Sequence, residues 1–330
     1  MTDTAHATTR PAGPTGGTWF VAPTPFTASG VVDEESIARI ADAAVRWGCD
    51  GVTVLGVMGE VAALTDAERE TVSRAVATAL DSRIPFAVGC SGGSVSLVRS
   101  RVAAASDAGA AAAMVSAPPM AADVCGLPGF FAAVAGSSPL PLVIQDEPAA
   151  TGVRVPVPVL VECLHASGST VVKLEDPPTP AKTTRLLAVD PGLRVFGGLG
   201  GVAALQELGR GAVGTMTGFA FPEVLRSLRL AVSAGDDRRA GLLFDAYLPL
   251  IAFEAQQGVG LGIRKEILRR RGVLTCAATR TGPVPDARTL AELDDVLVRV
   301  GVLVGPDPLV LVDPLAAPDP VAVAGPAVRP

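Results

Sequence analysis

Short apolar runs alternate with amphipathic stretches along most of the chain. Residues 18–26 read as a first strand and turn, and Asp33 then opens a helix with apolar positions at Ile37, Ile40, Ala41, Ala44 and Val45. Gly48 ends that helix, and 51–55 is a second strand running into the glycine-bearing loop 56–60. Thr65-Asp66-Ala67-Glu68 has the form of a capping box and starts a helix to about Leu80. The alternation continues with strands predicted at 84–88, 112–116, 141–145, 170–173, 194–197 and 212–217, and with helical stretches between them. Such strands and helices in strict alternation, without a break in composition, predict an α/β fold, a closed parallel (β/α)8 TIM barrel. An open doubly wound sheet is the alternative. The glycines at 197–201 would have to be its dinucleotide loop, but they come late and no acidic residue closes a following strand.

The expected organisation has four parts. Residues 1–17 form a flexible tail with no apolar signal segment, and 18–221 form the barrel. A helical extension occupies 222–303, with stripes such as Leu225, Leu228 and Val232, and 304–330 is a Pro-, Ala- and Val-rich tail.

Composition narrows the function. Hydrophobic residues make up 49% of the chain and aromatics only 4%, so the core is built of small aliphatic side chains suited to close helix–sheet packing. The net charge of −6, with no basic run, argues against nucleic acid as a partner. Five scattered cysteines without paired spacing point to reduced thiols and a cytoplasmic location. The almost uncharged stretch 108–145 is cut by prolines into pieces too short to span a bilayer, so no membrane partner is expected. With only two histidines, His6 and His165, a His-based triad or histidine metal centre is not expected. Glu60, Asp146 and Glu175 offer carboxylates, each readable as a cap or ion-pair partner, and no metal site is predicted.

Lysine is scarce: Lys173, Lys182 and Lys265 stand against 24 arginines. Lys182 and Lys265 fall in polar helical contexts and are expected on solvated faces. Lys173 instead ends the apolar run Thr170-Val171-Val172 and is followed by Leu174-Glu175-Asp176-Pro177-Pro178. Burial disfavours an ammonium, and a neutral lysine amine can attack a ketone to form a Schiff base. Glu175 lies two residues on, hence on the same strand face. The residues alone leave two readings: a nucleophile, or an ion pair with Glu175 or Asp176 that closes the strand. In a parallel barrel the strand ends gather on one face. Here they supply Gly59 and Glu60, Gln145, Asp146 and Glu147, Lys173 and Glu175, Gly197 and Gly198, and Thr215 and Thr217.

At these positions the chain resembles the dihydrodipicolinate synthase/N-acetylneuraminate lyase family of Schiff-base (β/α)8 enzymes. The resemblance rests on Leu55-Gly56-x-x-Gly59-Glu60 followed by Leu64-Thr65-x-x-Glu68-Arg69, on the strand ending at Lys173, and on Gly211-Ala212-x-Gly214 before Thr217. It implies that Lys173 forms the Schiff base without any cofactor. It also implies that Val57, Met58, Gly59 and Glu60, with Gly197, Thr215 and Thr217, bind a keto-acid substrate, and that the chain is a homo-oligomer, a dimer or tetramer.

The chain also departs from that family. The usual Tyr-x-x-Pro of the fifth strand is Gln145-Asp146-Glu147-Pro148, and an arginine found just beyond it in the synthases is Ala150. The tyrosine after the fourth strand is lost within Ala117-Pro118-Pro119, and the paired threonines of the carboxylate loop are Val57 and Met58. These changes argue against lysine biosynthesis.

L-2-keto-3-deoxyarabonate dehydratases are similar in having Gln-Asp-x-Pro, Lys-x-Glu, and Gly-Thr-Met-Thr, here 145–148, 173–175 and 214–217. The implied reaction is dehydration of a 2-keto-3-deoxy sugar acid, with Lys173 as nucleophile, Glu175 as proton shuttle or charge partner, and Gln145 holding water or a substrate hydroxyl. An aldolase of the same chemistry and a non-catalytic keto-acid-binding paralogue are the rival readings.

Overall fold

A computed structural model describes residues 13–304 except 120 and 122; the predicted tail beyond 304 and most of the N-terminal one lie outside the described residues. The strands β1 (Gly17–Val21), β2 (Gly51–Val54), β3 (Phe86–Gly89), β4 (Ala112–Ser116), β5 (Leu142–Asp146), β6 (Val171–Leu174), β7 (Arg194–Gly197) and β8 (Gly214–Thr217) close in sequence order. All pair in parallel, and β8 returns to β1 with Thr18 opposite Thr215. The predicted barrel is present. Its first strand is shorter than the apolar pattern suggested, because Pro23 and Pro25 cannot donate to a ladder.

Helices α1 (Glu34–Arg46), α2 (Asp66–Leu80), α3 (Val95–Asp107), α4 (Leu127–Ala135), the single turn α5 (Pro148–Thr151), α6 (Val157–Ser167), α7 (Thr179–Val189) and α8 (Ala204–Gly209) separate the strands. The capping box at α2 forms as the sequence predicts, with Thr65 and Glu68 each satisfying the other's backbone N–H. α9 (Pro222–Ser233) packs against β1 and α8 and closes the helical ring. α9, which follows residue 221, thus lies in the helical ring around the strands. Three helices lie beyond it: α10 (Asp237–Glu254), α11 (Gly260–Arg270) and α12 (Ala287–Val304).

Two apolar cores follow from the strand period of two. Trp19, Val21, Met114, Val143, Val171, Phe196 and Met216 meet inside the barrel. The intervening residues, Val172 and Leu174 among them, join the larger layer between barrel and helices. Membership of these cores fixes the direction of every strand residue, and so decides which side chains can reach the barrel mouth.

The helices beyond α9 reach back to that mouth. Lys265 of α11 is fully buried, and its Nζ lies 2.5 Å from Glu60 Oε1, donates to the Ala278 carbonyl at 2.7 Å and sits over the Phe26 ring. Glu60 Oε2 accepts from the Arg280 and Thr281 backbone amides at 2.6 and 2.7 Å. Burial works to raise the Glu60 pKa, but the lysine and these amides outweigh it and hold the carboxyl below its ordinary value. Arg280 adds a 2.6 Å ion pair to Glu68 and also lies over the Phe26 ring. The β2 loop and the C-terminal helices are thus one clamped unit.

The expectation that Lys265 and Lys182 are solvated is overturned for both. Each occupies the inward side of its helix, where a carboxylate rather than water meets it. Removing one member of a buried pair leaves the other charge uncompensated. Lys265→Met should therefore destabilise the fold by about 3–5 kcal/mol, visible as a lowered midpoint in urea. An unchanged midpoint would show that the clamp carries no stability.

Candidate active site

The alternation that buries Val171 inside the barrel brings Lys173 to the same face, one layer higher toward the C-terminal mouth. Gln145 is its register partner on β5, and Phe196 its partner on β7. Lys173 is 4% exposed, and its Nζ lies 3.0 Å from Glu175 Oε2. Gln145 Nε2 donates to the same carboxylate oxygen at 2.7 Å. Glu175 is positioned from below by its own backbone, whose N–H donates to the Asp146 carbonyl at 2.9 Å. Lys173, Glu175 and Gln145, chosen from the sequence as one constellation, are thus in mutual contact.

The other two lysines show what distinguishes Lys173. Lys182 Nζ is held by Asp146 at 2.6 Å, Asp176 at 2.9 Å and the Val155 carbonyl at 2.8 Å. Lys265 has a carboxylate, a carbonyl and an aromatic face. Among the described residues Lys173 has Glu175 alone. Its amine can be released by moving one proton or one side chain.

Beside this trio lies a cavity of about 500 Å³, lined by the β2 loop, Ser91, Gly92 and Gly93 after β3, Ser116 at the end of β4, and Gln145 and Glu147. Arg69 and Arg101 also line it. Among the described residues no group of three or more His, Cys, Asp or Glu is arranged to hold a metal.

Glu147 is among the strand-end groups that the sequence gathers, but sequence alone gives it no role. Its Oε2 accepts from the Ala150 N–H at 2.8 Å, which makes it the cap of α5. Burial, reinforced by the negative charge of Glu175, pushes its pKa up to about 7. The signal available was an acid directly after Gln145-Asp146 at a strand end. Its cap role hid the second one.

The structure reassigns several other predicted positions. Thr215 and Thr217 flank the inward Met216, so both face the helix layer rather than the barrel mouth. Gly197 likewise follows inward Phe196 and faces outward: a Cβ there would stand 1.9 Å from Glu207 Oε2. Its absent side chain accommodates a buried carboxyl whose pKa burial raises. The next glycine is the one at the site, since a Cβ on Gly198 would stand 2.4 Å from Glu175 Cγ. Glu60 borders the cavity, but both of its oxygens are taken by the clamp. Val57 lines the cavity, and Met58 packs over the barrel-interior core. Gly59 is buried with its carbonyl taken by the Thr24 hydroxyl at 2.7 Å.

With this geometry in place, the likeness to known proteins becomes specific. The profile of the dihydrodipicolinate synthetase family matches residues 16–290. The chain belongs to that family. Members of that family are class I Schiff-base lyases. An L-2-keto-3-deoxyarabonate dehydratase from Azospirillum brasilense is 30% identical over 298 residues, covering 87% of this chain and 95% of the relative. A 4-hydroxy-tetrahydrodipicolinate synthase from Streptomyces coelicolor is 31% identical over 72% of this chain and 77% of its own length. The crystal structure of dihydrodipicolinate synthase from Rhodopseudomonas palustris superposes with a TM-score of 0.82 at 36% identity, covering 86% of this chain and 97% of that one. No helix among the described residues is long and apolar enough to cross a membrane.

The glycine at 198 gives a direct check on the trio. Gly198→Ala should displace Glu175 and, by misplacing the proton-handling group by an ångström or so, lower turnover by about 100-fold. Its circular dichroism spectrum should match that of the unmodified protein. Full activity in the alanine variant would mean that Glu175 has no fixed role.

Proposed function

We propose that this protein dehydrates a 2-keto-3-deoxy sugar acid of the L-2-keto-3-deoxyarabonate type through a Schiff base on Lys173. The observation that carries the reading is the Lys173–Glu175–Gln145 contact, in which the tyrosine of the synthases is replaced by an amide that orients a carboxylate. Azospirillum's dehydratase, similar over nearly its whole length, supports this choice of substrate class.

In the proposed sequence, Glu175 takes a proton from Lys173, and the amine adds to the C2 ketone. Glu175 returns that proton to the carbinolamine hydroxyl, which leaves as water to give an iminium that acidifies C3. Glu175, 3.0 Å from the nitrogen, is placed to remove the C3 proton and give the enamine. The C4 hydroxyl then departs as water, with its proton supplied by Glu147, which lines the cavity beside Gln145. The conjugated iminium tautomerises, and water returns the lysine and releases the product. For a five-carbon substrate the product is 2,5-dioxopentanoate, formed with loss of one water. Gln145 carries no proton; it holds Glu175 in place.

Product analysis with 2-keto-3-deoxypentonate separates this reading from its rival. Accumulation of 2,5-dioxopentanoate is expected, at a rate that Lys173→Ala abolishes. Pyruvate plus glycolaldehyde would instead identify an aldolase, because the C3–C4 bond would have broken.

The proton donor has its own signature. A general acid with its pKa at about 7 is competent below that value, so turnover should fall as pH rises through 7. Glu147→Gln should lower turnover by about 100-fold or more and remove that limb of the profile. A variant that keeps the same limb would assign the titration to another group.

A further inference from the structure

The β2 loop, to which the family resemblance assigns the substrate carboxylate, presents no hydroxyl at positions 57 and 58, and the charged group it does carry, Glu60, is negative and already paired. We propose that Arg264, projecting from α11, supplies the missing positive charge and binds the C1 carboxylate of the keto acid at this loop. The proposal rests on the Schiff-base reading and extends it to a second residue that would contact the substrate.

Arg264 is 9% exposed. Its Nε donates to Glu254 Oε2 at 3.2 Å, which fixes one edge of the guanidinium. The other edge is nearly uncommitted. Nη1 has only the Met58 sulfur, at 3.0 Å, and Nη2 makes no hydrogen bond among the described residues. A thioether is a weak acceptor, so exchanging it for a carboxylate oxygen strengthens the interaction. Glu254, completely buried and pushed up to about 7 by that burial, offsets only part of the guanidinium's charge near neutrality.

The location fits. Met58 packs on the barrel-interior core, on which Lys173 also stands, so the guanidinium that touches its sulfur lies at the mouth. Glu175 and Arg264 also bracket one tight turn, closed by Gly200 N–H to the Gly198 carbonyl at 2.9 Å. A Cβ on Gly198 would meet Glu175, and one on Gly200 would stand 3.0 Å from Arg264 Nη2. Two residues of chain span at most about 7 Å, so Glu175 and Arg264 pack against neighbouring glycines of one short turn. Neither glycine places a side chain between them.

The test is the ketone concentration needed for half-maximal reductive trapping with borohydride, measured for pyruvate and for hydroxyacetone, a ketone of similar size without a carboxylate. Arg264→Gln is combined with Glu254→Gln so that no buried charge is left unpaired. That double variant should need roughly 10- to 100-fold more pyruvate, the range expected for losing a hydrogen bond to a charged group, with hydroxyacetone unchanged. Arg264→Lys keeps the ion pair to Glu254 but not the forked donors. It should weaken pyruvate capture by a smaller factor, and it decides the matter if the double variant does not fold. Wild-type pyruvate concentrations in both variants would overturn the proposal, as would parallel losses for both ketones. If the unmodified protein traps neither ketone, the Schiff-base reading itself fails, and Arg264 loses its substrate with it.

Discussion

A buried charge needs a partner, and in this protein that constraint organises the whole catalytic end of the barrel. Each of its three lysines is buried, and each meets a carboxylate: Lys173 with Glu175, Lys182 with Asp146 and Asp176, Lys265 with Glu60. Two of these ammonium groups are held by several acceptors and tie elements together. Lys182 joins the end of β5 to α7, and Lys265 fastens the β2 loop beneath the C-terminal helices. Among the described residues Lys173 has one partner, and that partner is shared with Gln145. In the proposed reaction the chemistry falls to the lysine whose charge is least redundantly held, while the other two tie its surroundings together.

Strand alternation then determines which groups can take part. Val171 and Lys173, Val143 and Gln145, and Phe196 and Gly198 are successive members of the inward rows, so apolar side chains fill the barrel and polar ones crown it. Glycine at 198 leaves space for Glu175 on the inner side of β7, and glycine at 197 leaves space for Glu207 on the outer side. The adjacent pair thus serves two carboxyls in different layers. The pH response has two opposed parts. Burial raises Asp146, to about 6, and Glu254, to about 7, so the stability these groups contribute declines as pH rises through those values. Glu60 is lowered, so its contribution is lost only in acid.

Much of this was legible in the residues. The eight strands, the α2 capping box and the shared face of Lys173 and Glu175 follow from local periodicity, which sequence carries directly. The errors have a common origin, which is direction. Thr215 and Thr217 sit at the correct end of β8, but only the packing of Met216 reveals that they face outward. The choice between Gly197 and Gly198 depends in the same way on Phe196. Lys182 and Lys265 look solvated because their helices are polar, whereas their actual partners lie well separated along the chain, at Asp146 and Glu60. Arg264 carried no sequence signal as a site residue, since its place at the mouth depends on α11 folding back over the β2 loop.

The central claim is that Lys173 alone, of three buried lysines, is the covalent nucleophile. Peptide mass mapping after borohydride reduction in the presence of pyruvate tests it most directly, because only three peptides can carry the adduct. The account predicts a stoichiometric reduced pyruvyl group on Lys173 with Lys182 and Lys265 unmodified. An adduct on Lys182 or Lys265, or an unmodified Lys173, would contradict it.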